Sequence, residues 1–263
     1  MKNRYYRFFQ EDGKSLMMAF DQGGIGKTDS DPEKIISAAV CGGIDGVLTT
    51  YGVLKNFGHL LGKIGVLMRI DAFPSALSDQ PFLPKMADYT VEDIIRLGAD
   101  GIVCNGMPGF QHNGIDYDKE SVQMLTKVVS MCDRYGLLAG AEMLPNNFST
   151  NPKDRTIDAM KIGCRLAAEL GLDFVKTEYV HTVEEFKAVT QNCYVPIVAL
   201  GGPFSKDSRA VLQYVRNAMD AGCKGIVMGR NIYSHENVEG MVRALRKVIH
   251  ENADPDTAML ELQ

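Results

Sequence analysis

Asp173-Phe174-Val175-Lys176-Thr177-Glu178-Tyr179 is a short apolar run that ends in a lysine and lies between two helix-like segments. In a parallel barrel such a run is a strand buried on both faces. A lysine at its C-terminal end stands in the barrel mouth, where catalytic residues collect. Burial lowers a lysine's pKa, and a neutral amine attacks a carbonyl to form a Schiff base. Lys176 is therefore a candidate for covalent carbonyl chemistry. The plainer reading is a lysine that closes a strand at the surface.

Outward from this run the chain repeats one rhythm: short apolar run, turn, helix. Strand-like runs fall at Leu16–Phe20, Gly46–Thr50, Gly65–Ile70, Gly101–Cys104, Leu137–Glu142, Asp173–Lys176, Pro196–Leu200 and Gly225–Met228. Apolar residues at three- and four-residue spacing predict helices over Pro32–Cys41, Val91–Leu97, Lys119–Tyr135, Asp154–Leu170, Thr182–Thr190, Ser208–Ala221 and Asn237–Ile249. Asp31-Pro32-Glu33 and Thr182-Val183-Glu184-Glu185 read as helix starts. Several helices run into a glycine and a small polar step before the next strand, as at Gly171-Leu172-Asp173. Eight such units predict a single (β/α)8 barrel domain over residues 1–263. No G-x-G-x-x-G follows the first strand, which argues against a dinucleotide fold.

The bulk composition agrees. The chain has 263 residues, 45% hydrophobic and 23% charged, with a net charge of −5 and no basic run. Nucleic acid is an unsuitable partner on that count, whereas a phosphorylated small molecule needs only a few local donors. The six cysteines are scattered without a C-x-x-C pair and read as buried free thiols of a reducing compartment. The N-terminus has no signal-peptide pattern, and no apolar stretch approaches the ~18 residues of a membrane span. A cytoplasmic location is the expectation. The histidines show no metal-ligand spacing and the cysteines do not cluster, so amine catalysis is expected rather than zinc chemistry. His112, on a loop after the fourth strand, is a further residue within reach of a substrate.

Other candidates stand at strand ends. The first strand closes Phe20-Asp21-Gln22-Gly23-Gly24, where Asp21 either moves protons or caps a turn, and the glycines permit a sharp bend. In Ala139-Gly140-Ala141-Glu142 a carboxylate follows small residues, and it adjoins the strand that carries Lys176. Period two puts Glu178 on the Lys176 side of its strand. Either glutamate is an acid/base candidate or a salt-bridge partner. Gly201-Gly202 and Gly229-Arg230 follow the last two strands, where backbone N–H groups and a guanidinium surround a phosphate. Tyr5, Tyr6, Phe8 and Phe9 form an aromatic cluster expected to cover the bottom of the chain's own barrel.

Taken together, Phe20-Asp21-Gln22-Gly23, Val175-Lys176-Thr177-Glu178-Tyr179, Ala199-Leu200-Gly201-Gly202-Pro203 and Val227-Met228-Gly229-Arg230-Asn231-Ile232 resemble the class I aldolase superfamily. The branch they resemble holds archaeal-type fructose-bisphosphate aldolases, tagatose-bisphosphate and sulfofructose-phosphate aldolases and the autoinducer-2 thiolase. The resemblance implies Lys176 as the Schiff-base lysine, Asp21 as an active-site acid, and Gly201, Gly202, Gly229 and Arg230 as the phosphate site. It also implies a phosphorylated sugar substrate, no cofactor and a homo-oligomer. The chain departs from the archaeal enzymes where they carry a tyrosine before the strand-five proline: Leu144 precedes Pro145 here. Glu142 then looks like the strand-five acid/base of the tagatose-type branch. Arg69 and Asp71, at the third strand's end, are expected to bind a different group. Alternatives are thiolase-type acyl transfer, a phosphosugar isomerase with Glu142 as base, and a non-catalytic sugar-phosphate-binding barrel.

Overall fold

The computed structural model describes residues 2–21, 29–72, 74–78, 81–149 and 151–263. Gln22, Gly23, Gly24 and Phe73, placed by the sequence reading in loops after the first and third strands, lie outside the described residues.

Parallel strands β1 (Ser15–Phe20), β2 (Gly46–Thr49), β3 (Gly65–Arg69), β4 (Gly101–Gly106), β5 (Leu138–Met143), β6 (Phe174–Thr177), β7 (Ile197–Leu200) and β8 (Gly225–Met228) close into a barrel in sequence order, with β1 paired to both β2 and β8. This is the (β/α)8 architecture expected from the rhythm of the sequence. Helices α1 (Pro32–Cys41), α2 (Tyr51–Phe57), α3 (Val91–Arg96), α4 (Tyr117–Tyr135), α5 (Ile157–Leu170), α6 (Val183–Asn192) and α7 (Ser208–Asp220) run between the strands. A short helix α8 (Arg230–Tyr233), then α9 (Val238–Ile249) and α10 (Pro255–Ala258), follow β8.

Local chemistry starts and stops these helices. Asp31 accepts from the N–H groups of Glu33 and Lys34 with Pro32 at the first helical position, and Thr182 and Glu185 close a reciprocal capping box. Gly171 ends α5 at φ 97°, a conformation that a Cβ disfavours. The sequence reading missed α2, because Gly52 and Asn56 blur the apolar stripe of its seven residues. Asp154 belongs to a 3-10 turn, and α5 begins only after the cap at Thr156.

The barrel interior is built in layers. Met17, Leu48, Leu67, Val103, Leu138, Phe174, Val198 and Val227 pack with Phe8 and Phe9 in one buried cluster. Phe8 fills the space that side chains at Gly46 and Gly65 would occupy: a Cβ there would stand 2.9 and 2.5 Å from its ring. Phe9 meets Phe174 edge-on at 6.2 Å, and Tyr5 stacks on Phe9 at 4.4 Å. The aromatic cluster thus plugs the chain's own barrel, with the exception of Tyr6, which is exposed. Arg7 and Lys2 fasten the plug to Asp100 and Asp173, each at 2.8 Å. Five of the cysteines are buried free thiols, but Cys41 is exposed because it falls on the outer side of the last turn of α1.

Candidate active site

Strand register assembles the centre of the mouth. Glu142 pairs with Lys176 across β5 and β6, and Asn105 pairs with Glu142 across β4 and β5. Neighbouring strands lie ~4.8 Å apart, so in-register side chains of like parity meet. Asn105, Glu142 and Lys176 lie in register two residues above Val103, Gly140 and Phe174, while Arg69 pairs with Val103 and reaches Glu142 with its long side chain. Gly140 leaves room for the Phe174 ring beneath them: a Cβ there would lie 2.3 Å from that ring.

Lys176 Nζ lies 2.9 Å from Glu142 Oε2, with both side chains buried. Arg69 donates from Nη2 to the same oxygen at 2.6 Å, from Nε to Asp21 Oδ2 at 2.9 Å and from Nη1 to Asp71 Oδ1 at 3.2 Å. Asp71 Oδ2 accepts from the backbone N–H and side-chain amide of Asn105 at 2.7 and 2.5 Å. Arg69 thus pairs with Asp71, Asp21 and Glu142 because the closed barrel turns all of them inward, and it still lines the cavity.

The charges follow from this packing. Burial is the largest influence on Glu142 and pushes its carboxyl up, but Lys176 and Arg69 together outweigh it and lower it to about 2. Burial dominates at Asp71 and raises its carboxyl above the ordinary range despite Arg69 and Asn105. Burial disfavours the Arg69 cation, yet Asp71, Glu142 and Asp21 more than compensate and keep it charged.

Arg69, Glu142 and Lys176 line a cavity of about 880 Å³ at the C-terminal mouth, together with Asp21, Glu178, Gly201, Gly202, Gly229 and Arg230. Asp21, Glu142, Lys176, Glu178, the two glycine pairs and Arg230, all singled out in the sequence, are therefore on one wall or another of one cavity. Glu178 sits just beyond β6 and is held by Arg155, whose guanidinium also donates to the Pro145 and Asn147 carbonyls. Arg230 is exposed, and its side chain makes no hydrogen bond or ion pair among the described residues. His112 lies in a small hairpin, Gln111–His112 with Ile115–Asp116, and does not line the cavity.

Two residues escaped the sequence reading. Buried Asn231 ties the two glycine loops together, donating to the Gly201 and Pro203 carbonyls at 2.9 and 3.0 Å and accepting from Ser205 N–H at 3.0 Å. Its place beside Arg230 was the only available signal. Tyr233 lines the cavity with a buried hydroxyl that has no hydrogen-bond partner among the described residues, and burial, then Asp21, pushes that hydroxyl up to about 12. Among the described residues, no cluster of three histidines, cysteines or carboxylates could hold a metal ion. None of the described helices is long and apolar enough to cross a membrane.

Fold and site together define a (β/α)8 barrel with a buried lysine–carboxylate centre in its mouth. The family described as DeoC/LacD family aldolase matches residues 15–235, and the chain belongs to it. It is 32% identical over 254 residues to a 2-amino-3,7-dideoxy-D-threo-hept-6-ulosonate synthase of Halobacterium salinarum, covering 94% of this chain and 91% of that one. It is 30% identical over 257 residues to a 3-hydroxy-5-phosphonooxypentane-2,4-dione thiolase of Klebsiella pneumoniae, covering 96% and 82%. The crystal structure of an archaeal fructose 1,6-bisphosphate aldolase superposes with a TM-score of 0.81 at 23% identity, covering 94% and 98% of the two chains.

Proposed function

We propose that this chain is a class I aldolase that makes or breaks a carbon–carbon bond in a phosphorylated ketose through a Schiff base on Lys176. The observation that carries the reading is the buried Lys176 Nζ, 2.9 Å from Glu142 Oε2 at the barrel mouth. Membership of an aldolase family supports it.

In this mechanism the neutral amine of Lys176 attacks the ketone, and the carbinolamine loses water to give an iminium. Glu142 is the proton acceptor beside that nitrogen. Glu142 takes the Lys176 proton, which frees the amine, and returns it to the carbinolamine hydroxyl that leaves as water. Glu142 then takes the proton of the substrate hydroxyl β to the iminium carbon. The carbon–carbon bond breaks, its electron pair enters the iminium to form an enamine, and an aldehyde leaves. Protonation of the enamine carbon and hydrolysis release the ketone and regenerate Lys176. Asp21, steadied by Arg69, assists carbinolamine formation, and Glu178 orients substrate hydroxyls from the rim. Gly201, Gly202, Gly229 and Arg230 anchor the phosphate, and remote binding energy holds the reacting carbon at the amine.

The test is borohydride trapping with dihydroxyacetone phosphate followed by peptide mass spectrometry. A reduced adduct on Lys176 is expected, with none in Lys176→Ala; undiminished cleavage by Lys176→Ala would sink the proposal. The 30% identical thiolase favours one second reading, acyl transfer from a phosphorylated dione. Turnover that requires coenzyme A would select it. The same proposal takes residues 1–263 as one barrel domain acting as a cytoplasmic homo-oligomer without a cofactor, and sedimentation analysis measures the assembly.

A further inference from the structure

We propose that the Tyr233 hydroxyl is a ligand of the substrate phosphate, donating to a phosphate oxygen held at the Gly229–Arg230 turn. This rests on the phosphate placement in the reading above and adds a residue to that site.

Three observations carry it. First, the hydroxyl is buried and uncommitted. Tyr233 is 7% exposed and lines the cavity, and its hydroxyl has no hydrogen-bond partner among the described residues. A buried donor left unpaired destabilises the empty protein, and a ligand that accepts from it removes that penalty.

Second, the hydroxyl stands at the turn assigned to the phosphate. The Tyr233 ring meets Phe20 edge-on at 5.9 Å. A Cβ on Gly229 would lie 3.2 Å from Cε1, the ring carbon beside the one that bears the hydroxyl. Arg230 and Tyr233 are three residues apart on the single turn of α8, so their side chains are neighbours. The Arg230 charge acts on the hydroxyl, so an anion that Arg230 holds is close to it as well.

Third, the hydroxyl meets an anion as a donor. Burial, then Asp21, outweighs Arg230 and keeps the phenol protonated. Asp21 takes Arg69 Nε at 2.9 Å, and no hydrogen bond joins it to Tyr233. A neutral O–H beside a phosphate forms a charge-assisted bond without bringing a further charge into the mouth.

The test compares Tyr233→Phe with the wild-type full chain, since phenylalanine keeps the ring and removes only the oxygen. Calorimetric titration uses sn-glycerol 3-phosphate, which has a phosphate but no carbonyl for Lys176 to attack. The variant is expected to bind it at least about tenfold more weakly, the scale of one hydrogen bond to a charged group. Borohydride labelling of Lys176 with dihydroxyacetone, which has the carbonyl but no phosphate, is expected to be unchanged. The urea midpoint without ligand is expected to stay equal or rise, because an unpaired buried oxygen is gone. Equal affinity for the phosphate in both proteins overturns the inference, as does failure of the wild type to bind it. A lower urea midpoint also overturns it, since the hydroxyl then has a partner within the chain. So does labelling that slows along with phosphate binding, which moves the hydroxyl to the carbonyl end. Weaker phosphate binding in the variant, with no Lys176 labelling in either protein, sinks the Schiff-base reading and leaves Tyr233 as a phosphate ligand.

Discussion

Arg69 and Lys176 hold the same atom: Oε2 of Glu142 lies 2.6 Å from Arg69 Nη2 and 2.9 Å from Lys176 Nζ. One carboxylate thereby bridges two buried cations, Asp21 and Asp71 share the Arg69 charge, and each cation helps to keep Glu142 ionised. Removing any member leaves the others buried without their partner, which is costlier than never having built the group.

Glu142→Gln keeps the shape and removes the charge. We expect turnover to fall about 10²- to 10⁴-fold, the range for loss of a positioned base. The fold should lose about 3 kcal/mol, because Arg69 and Lys176 are left facing an amide. Steady-state kinetics and urea denaturation measure the two effects; wild-type turnover in the variant would exclude Glu142 as the base. The carboxyl is depressed in the folded protein, so its contribution is fully present above the unfolded value near 4.3 and fades as pH falls toward about 2. The wild-type stability should therefore drop more steeply than the variant's across that window.

Arg69→Lys tests geometry rather than charge. A guanidinium forks to three carboxylates at once, whereas an ammonium is a point donor on a flexible stem. We expect a loss of about 2–4 kcal/mol in stability and a clear fall in kcat, since Asp21 and Glu142 lose their common brace. A lysine variant with native stability and kinetics would show that charge alone suffices.

At the opposite end of the barrel, His250 bridges Asp12 and Asp45, each at 3.0 Å. Burial lowers the imidazole's value, but the two aspartates outweigh it and raise it above its ordinary one. A raised value contributes stability that is complete below the unfolded value of about 6.5 and is lost as pH rises through the folded one. Urea midpoints should thus decline as pH rises above about 6.5 in the wild type, and less in His250→Gln. Parallel declines in both proteins would remove His250 from the account.

Gly140→Ala adds one carbon where the Phe174 ring already lies 2.3 Å from the Cβ position. Overpacking of this kind costs about 1–3 kcal/mol. The thermal midpoint should fall, and Phe174→Leu in the same chain should restore part of it by opening space. Gly140 and Phe174 are cross-strand neighbours two residues below Glu142 and Lys176, so activity should fall with stability.

The barrel and much of its mouth were legible along the chain. Apolar runs ending in Lys176, Glu142 and Asp21 recur at the spacing of a β-α unit, and period two fixes which residues share a face. Those are local properties, so sequence alone supplied them, along with the family resemblance and the glycine loops around Arg230. Partnership is not local. Arg69 lies 48 residues from Asp21 and 73 from Glu142, and only closure of the sheet turns one guanidinium toward both. Asn231 finds its carbonyls across two loops, and Tyr233 is left with a buried hydroxyl unpartnered among the described residues. The chain's pattern determined which residues face inward at the mouth; the register of eight strands decided which charges meet, because buried charges are stabilised only at hydrogen-bonding distance.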